Sequence, residues 1–277
     1  MTALREITDN SALVVAHPDD EILWFSSIVR SVDRIVFCFS EVDGNSAISE
    51  GRKGVLRDFP HKQVSTLDIK EGDVFNLADW KHPRPSVDGL EFRKAKRASS
   101  RKAVYTQNFS ELCERLRQVL KGCRNVFTHN PWGEYGHEEH VQVYRAVKSV
   151  QAQLGFDVWV SNYCSNRSLR LMESHVSGFR TDYVTVPIDK EFAAEVRDLY
   201  QRHGCWTWHA DFVWFNEESF IRDDGLKYSA KNHGHLFPLN LIHVEFPGNP
   251  QARPGRRLRL MRLVARLLRL PEPEPKT

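Results

Sequence analysis

The stretch ALVVAHPDDEILWFSSIVRSVDRIVFCFS, residues 12–40, decides the fold class of this 277-residue chain. Residues 12–16 form an apolar run of strand length, Glu21 to Val32 carries helical periodicity, and residues 34–40 return to an apolar strand run. Strand, helix and strand within roughly thirty residues is the pattern of a right-handed βαβ unit, which requires a parallel sheet. Between the first strand and its helix stand His17, Pro18, Asp19, Asp20 and Glu21. Ligands of an open parallel sheet gather beyond the carboxyl ends of the strands, and His17 sits at such an end.

The alternation continues along the chain. Phe109 to Lys121 reads as an amphipathic helix, residues 125–129 (NVFTH) as a strand, and Glu138 to Leu154 as a helix. Residues 157–163 (DVWVSNY) and 182–188 (DYVTVPI) read as strands, and Lys190 to His203 as a late helix. The expectation is a Rossmann-like three-layer α/β fold with a mainly parallel central sheet and an active site at the C-terminal strand ends. Residues 81–103, rich in Pro, Lys and Arg and without periodicity, are expected as a solvated basic loop or insertion. One domain over residues 1–250 followed by a tail, 251–277, is the expected organisation.

A chain that is 41% hydrophobic and 27% charged is not a disordered one. Its five cysteines are odd in number and scattered, with no C-x-x-C pair, which argues against a disulfide framework and a cysteine-rich zinc site and for a reducing compartment. The opening MTALREITDN has no apolar core of a secretion signal, and no run of ~18 apolar residues would span a bilayer. The expected location is cytoplasmic. Net charge is +3, divided as +6 over residues 251–277 and −3 over residues 1–250. Within the tail, residues 256–270 (RRLRLMRLVARLLRL) place Arg259, Arg262, Arg266 and Arg269 on one face and Leu260, Leu263, Val264, Leu267 and Leu270 on the other. Such a helix is expected either as a peripheral contact with the inner face of a membrane or as a segment docked on the body or on a second subunit. Nucleic acid is not an expected partner, because basic residues elsewhere form no stripe interleaved with aromatics.

The acids after His17 complement the positive end of a helix dipole, worth ~0.3 to 1 kcal/mol each, and Pro18 suits a first turn. The dipole accounts for the acids but not for the histidine. A metal accounts for both, since catalytic zinc takes three protein ligands and keeps a position for water. The remaining ligand is sought at another strand end. After the strand at 125–129 comes NPWGEYGHEEHVQVYRAV, residues 130–147, in which His137 and His140 stand three apart at the opening of a helix and share a face.

AHPDDE (16–21) together with YGHEEH (135–140) resembles the two signatures of the metal-dependent GlcNAc-phosphatidylinositol de-N-acetylase family, also called PIG-L or LmbE-like, over roughly residues 10–160. The resemblance implies Zn2+, or another divalent ion, held by His17, Asp20 and His140, with Asp19 as general base. It implies that His137, expected as an imidazolium, serves as acid or electrostatic partner, and that Tyr135 assists the oxyanion. The implied activity is hydrolytic removal of acetyl from an N-acetylglucosamine-type amino sugar on a glycoconjugate, releasing acetate and a free amine. Glu139 is read either as orienting a neighbouring histidine or as a solvated acid at a helix start.

The chain also departs from the family pattern. ILWFSS follows the first motif where relatives carry small residues, and Arg52 is followed three residues on by Val55 rather than by Glu. Arg52 and His209 are carried as substrate-binding candidates. His129 is expected as a structural histidine, His233 and His235 as a loop pair, and residues 204–215 (GCWTWHADFVWF) as core or an oligomer surface, core being favoured, with a stacking platform for a sugar ring as the alternative. Two other functions share these residues. A non-haem iron oxygenase uses two histidines and a carboxylate but leaves Asp19 without a task, and an inactive relative would bind a glycoconjugate without cleaving it.

Overall fold

The computed structural model describes residues 2–42, 44–61, 63–175, 183–223 and 238–245. The chain divides into a body, Met1–Ile242, and a C-terminal unit, His243–Thr277. The basic segment 256–270 lies outside the described residues, as do His233 and His235. In chain order the elements are α1 (Thr2–Thr8), β1 (Ser11–Val15), α2 (Asp20–Trp24), β2 (Arg34–Glu41), α3 (Ser46–Asp58), β3 (Val64–Lys70), β4 (Pro85–Ser86), β5 (Gly89–Leu90), α4 (Lys96–Val119), β6 (Asn125–Thr128), α5 (Glu138–Leu154), β7 (Asp157–Ser161), β8 (Tyr163–Ser165), α6 (Leu169–His175), β9 (Tyr183–Pro187), α7 (Lys190–Arg202), β10 (Glu217–Asp223) and β11 (Asn240–Ile242).

The central sheet has seven strands in the order β3-β2-β1-β6-β7-β10-β9. The first five run parallel, and β10 and β9 join antiparallel. This is the expected α/β architecture. All five residues of β1 are buried, as a strand covered on both faces requires. Side chains alternate across the sheet, so Ala12 and Val14 enter one core while Leu13 and Val15 enter the other. The first core is filled from α4 and α5 by Leu112, Leu116, Val143 and Val147. The second is filled from α7 by Phe192, Val196 and Leu199, with Ile22 and Leu23 of α2 beside them. Each such side chain contributes about 1.5–3 kcal/mol on burial.

Two expected elements differ. The helix read over Glu21 to Val32 ends at Trp24. Trp214 Nε1–H donates to the Ile22 carbonyl at 2.7 Å, and Ser27 N–H donates to Glu218 Oε2 at 2.9 Å, so groups a longer helix would pair internally are taken by distant residues. The basic stretch 81–103 is not all loop. It holds the β4–β5 hairpin, and α4 begins at Lys96. Ala98, Tyr105 and Leu112, seven apart, form the buried stripe that continues the helix backward.

The strand order places the site. β1 pairs with β2 on one side and β6 on the other, so the chain leaves the sheet in opposite directions from β1 and β6 and opens a crevice at their carboxyl ends. His17 follows β1, and the turn leading into α5 follows β6. Among the described residues, no helix is long and apolar enough to cross a membrane.

Candidate metal centre

The turn from β6 to α5 is tight, and Gly133 makes it possible. Its φ is +67°, and a Cβ there would come within 2.7 Å of the His137 carbonyl oxygen. Glu134 follows with φ +48°, unusual for a residue with a side chain. Its buried carboxylate compensates by accepting from four donors. Asn130 N–H (2.9 Å) and Ser161 Oγ (2.7 Å) bind Oε1, while His129 Nδ1 (2.9 Å) and His140 Nδ1 (2.8 Å) converge on Oε2. Burial alone would raise the Glu134 pKa, but the His129 and His140 rings draw it down to about 2.

Because Glu134 accepts at Nδ1, the proton of His140 resides there and the Nε2 lone pair points elsewhere. Nε2 is buried, has no hydrogen-bond partner among the described residues, and lies 3.2 Å from Asp20 Oδ1. A nitrogen lone pair and a carboxylate oxygen at that distance repel unless a cation joins them. His17 stands between two carboxylates. Its Nε2 is 3.0 Å from Glu139 Oε2, and its Nδ1 is 3.2 Å from Asp20 Oδ2. Glu139 is itself anchored by the Gly72 N–H at 2.7 Å. Asp20 is held in turn by the Trp24 indole N–H at 3.0 Å and the His17 backbone N–H at 2.7 Å. Ligand atoms of His17, Asp20 and His140 lie within 4.8 Å of one another, all three residues buried. Two neutral imidazoles and one carboxylate, each backed by an acceptor or donor, fit a divalent ion of the zinc type.

Asp19, beside this cluster, adopts φ 109° and ψ −22° at the start of α2. Burial and then the Asp20 carboxylate push its pKa up to about 7, against the pull of the Thr207 hydroxyl, Arg52 and His17. Thr207, which no sequence pattern marked, donates its hydroxyl to Asp19 Oδ2 at 2.5 Å. His137 caps α5: its Nδ1 accepts the Glu139 N–H at 3.1 Å, which leaves the ring proton on Nε2. The imidazolium expected from sequence is therefore not the form seen. Burial, then the His17 and His140 rings, hold its pKa well below the usual value. The Tyr135 ring stacks on Trp24 at 5.5 Å and meets His140 edge-on at 5.2 Å.

His129, expected to be structural, lies inside the cluster, stacked on His140 at 3.8 Å and 3.5 Å from Asp20. Burial lowers its proton affinity, but Glu134 and Asp20 more than offset this and raise the pKa to about 9. Even so, the Ala16 N–H donates to Nε2 at 2.8 Å, so in this arrangement the ring is neutral. Arg52, buried on α3, pairs with Glu71, its Nη1 2.5 Å from Oε1, and Glu71 stands 3.9 Å from His17. The carboxylate absent three residues after Arg52 is thus met in space from the end of β3. His209 is exposed, and the hydrogen bonds at that position go to its backbone carbonyl, from Trp206 Nε1 and Phe212 N–H. The aromatic segment around it packs into the second core, as expected, and Trp208 contacts both Trp24 and Tyr135.

No family model and no curated protein matches the chain. Several solved structures are similar to it. A deacetylase of teicoplanin biosynthesis, in complex with teicoplanin, is 11% identical over 77% of this chain and 99% of its own, with a TM-score of 0.47. The zinc-inhibited form of a teicoplanin deacetylase is 11% identical over 76% and 97%, with a TM-score of 0.49. The antimicrobial A40926 pseudoaglycone deacetylase is 10% identical over 80% and 98%, with a TM-score of 0.45. None of these likenesses carries the function.

Proposed function

We propose that the chain is a metal-dependent hydrolase that removes acetyl from an N-acetylglucosamine-type amino sugar on a glycoconjugate, releasing acetate and a free amine. The observation that carries this reading is the buried, unpartnered Nε2 of His140 facing Asp20, with His17 converging on the same carboxylate and the Asp19 carboxylate next in the chain. The resemblance of AHPDDE and YGHEEH to the de-N-acetylase signatures supports it.

His17, Asp20 and His140 would hold the ion. When bound, a divalent ion supplies Lewis acidity, polarising an amide carbonyl and lowering the pKa of a water to ~7. Asp19 would take the proton of the attacking water on its carboxylate, a task suited to a base poised near neutrality. His137 offers a neutral Nε2–H toward negative charge on the former carbonyl oxygen, and the Tyr135 phenol stands beside it. Arg52, paired with Glu71, would meet sugar hydroxyls, and the exposed His209 the outer part of the conjugate. An oxygenase would leave Asp19 without a role; a non-catalytic binder would have no need of a base beside the ion.

The test is a panel of acetylated amino-sugar conjugates, assayed for acetate and new primary amine with and without a chelator. Turnover is expected to disappear on chelation and return with zinc, without oxygen. Asp19→Asn is expected to lower it by ~10²- to 10⁴-fold while the bound metal stays at the wild-type stoichiometry. Amine release that survives chelation, or an Asp19→Asn variant as fast as wild type, rejects the reading.

A further inference from the structure

We propose that Thr207 is a positioning residue for the base: its hydroxyl, carried in by the aromatic segment 204–215, sets the orientation of the Asp19 carboxylate and leaves Oδ1 for the water. The inference relies on the deacetylase reading for what Asp19 does, and on geometry alone for how Asp19 is held.

The backbone of Asp19 is fixed twice. Its left-handed φ of 109° directs the Cα–Cβ bond, and its N–H donates to Glu21 Oε2 at 3.0 Å. Neither contact fixes the last torsion of the side chain, which for a carboxylate is soft. Among the described residues, the carboxylate receives one hydrogen bond, from Thr207 Oγ1 to Oδ2 at 2.5 Å. Asp20 next to it is held at both oxygens. Thr207 therefore decides which Asp19 oxygen is engaged and which is free.

The segment that delivers Thr207 is itself anchored. Trp214 Nε1–H donates to the Ile22 carbonyl at 2.7 Å, and Trp208 stands edge-on to Trp24 at 5.2 Å and to Tyr135 at 5.1 Å. Thr207 is an exposed residue holding a buried partner, so its hydroxyl bridges the solvent side of the crevice and the base. Misalignment of a proton acceptor by a fraction of an ångström costs rate rather than binding.

The zinc-loaded full chain is assayed on an alkyl N-acetylglucosaminide. Thr207→Val is expected to lower kcat by roughly 10- to 100-fold, with KM changed by less than about twofold and zinc content unaltered. Thr207→Ser, which keeps the hydroxyl, is expected to stay within about threefold of wild type. An unchanged kcat in Thr207→Val, equal losses in the Val and Ser variants, or a loss that appears in KM overturns the proposal. A second readout needs no turnover: crystal structures of zinc-loaded wild type and Thr207→Val in the same crystal form. The Asp19 carboxylate is expected to turn about its Cβ–Cγ bond in the variant; one identical orientation in both overturns the proposal. A wild type that leaves the probe intact while the variant carboxylate turns rejects the proposed substrate and supports the positioning role.

Discussion

At Glu134 a single carboxylate oxygen, Oε2, receives the Nδ1 protons of both His129 and His140. An amide has one acceptor atom where the carboxylate has two, so Glu134→Gln leaves some of those donors unmet and releases the tautomer of His140. The variant is expected to bind zinc ~10- to 100-fold more weakly, measured by competition with a chromophoric chelator. Equal affinity would mean that His140 needs no anchor. Glu21 offers a pH signature. Burial first, and Asp19 next, push its pKa up to about 8 from an ordinary value of 4.5, although Tyr200 donates to it at 2.8 Å. The folded chain thus holds this proton more tightly than the unfolded one. The stabilisation is complete below the ordinary pKa and is lost as pH rises through about 8. Metal-free protein is expected to melt at lower temperature as pH goes from about 5 to about 8, and Glu21→Gln to flatten that fall. A slope identical in the two proteins would remove Glu21 as the cause. The convergence of His17, Asp20 and His140 was legible in the sequence because histidines and acids at two strand ends are a pattern. Glu134, Glu71 and Thr207 were not, because an acid in a turn or a threonine in a loop has no pattern until its partner is known.

Among the elements, the β6–α5 turn is the least tolerant of change. Gly133→Ala would place a Cβ 2.7 Å from a backbone oxygen at a positive φ, with no flexible side chain able to yield. The expected cost is about 1–3 kcal/mol of stability, read as a lower denaturation midpoint, together with weaker zinc binding because His137 and His140 follow directly on this turn. An Ala variant with wild-type stability would show that the turn relaxes freely. The helices tell a related story. α5 and α7 were readable to within a residue or so because apolar periodicity and N-terminal side chains mark them; Asp189 caps α7 by accepting from the Phe192 N–H. α2 stopped early because Trp214 and Glu218, nearly two hundred residues on, take its groups. The backward extension of α4 went unread because basic residues mask the apolar stripe and Ala95 caps it without a side-chain bond.

For the molecule as a whole, the proposed cation would join three residues from two separate strand ends, so it would bind the folded body and not the unfolded chain. Zinc at about a hundred times its dissociation constant is expected to add ~2.7 kcal/mol of stability, seen as a rise in melting temperature that a chelator reverses. His17→Ala and His140→Ala should lose most of that rise; a rise of equal size in both would place the ion elsewhere. The sequence by itself determined the layered α/β class and brought His17, Asp20 and His140 forward as candidates, since burial on both faces of a strand writes a continuous apolar run and the two motifs stand at strand ends. Only the tertiary structure decided the strand order, the anchors behind each ligand and the partner of the base. Those depend on contacts between segments far apart in the chain, and their distances and proton positions have no local trace.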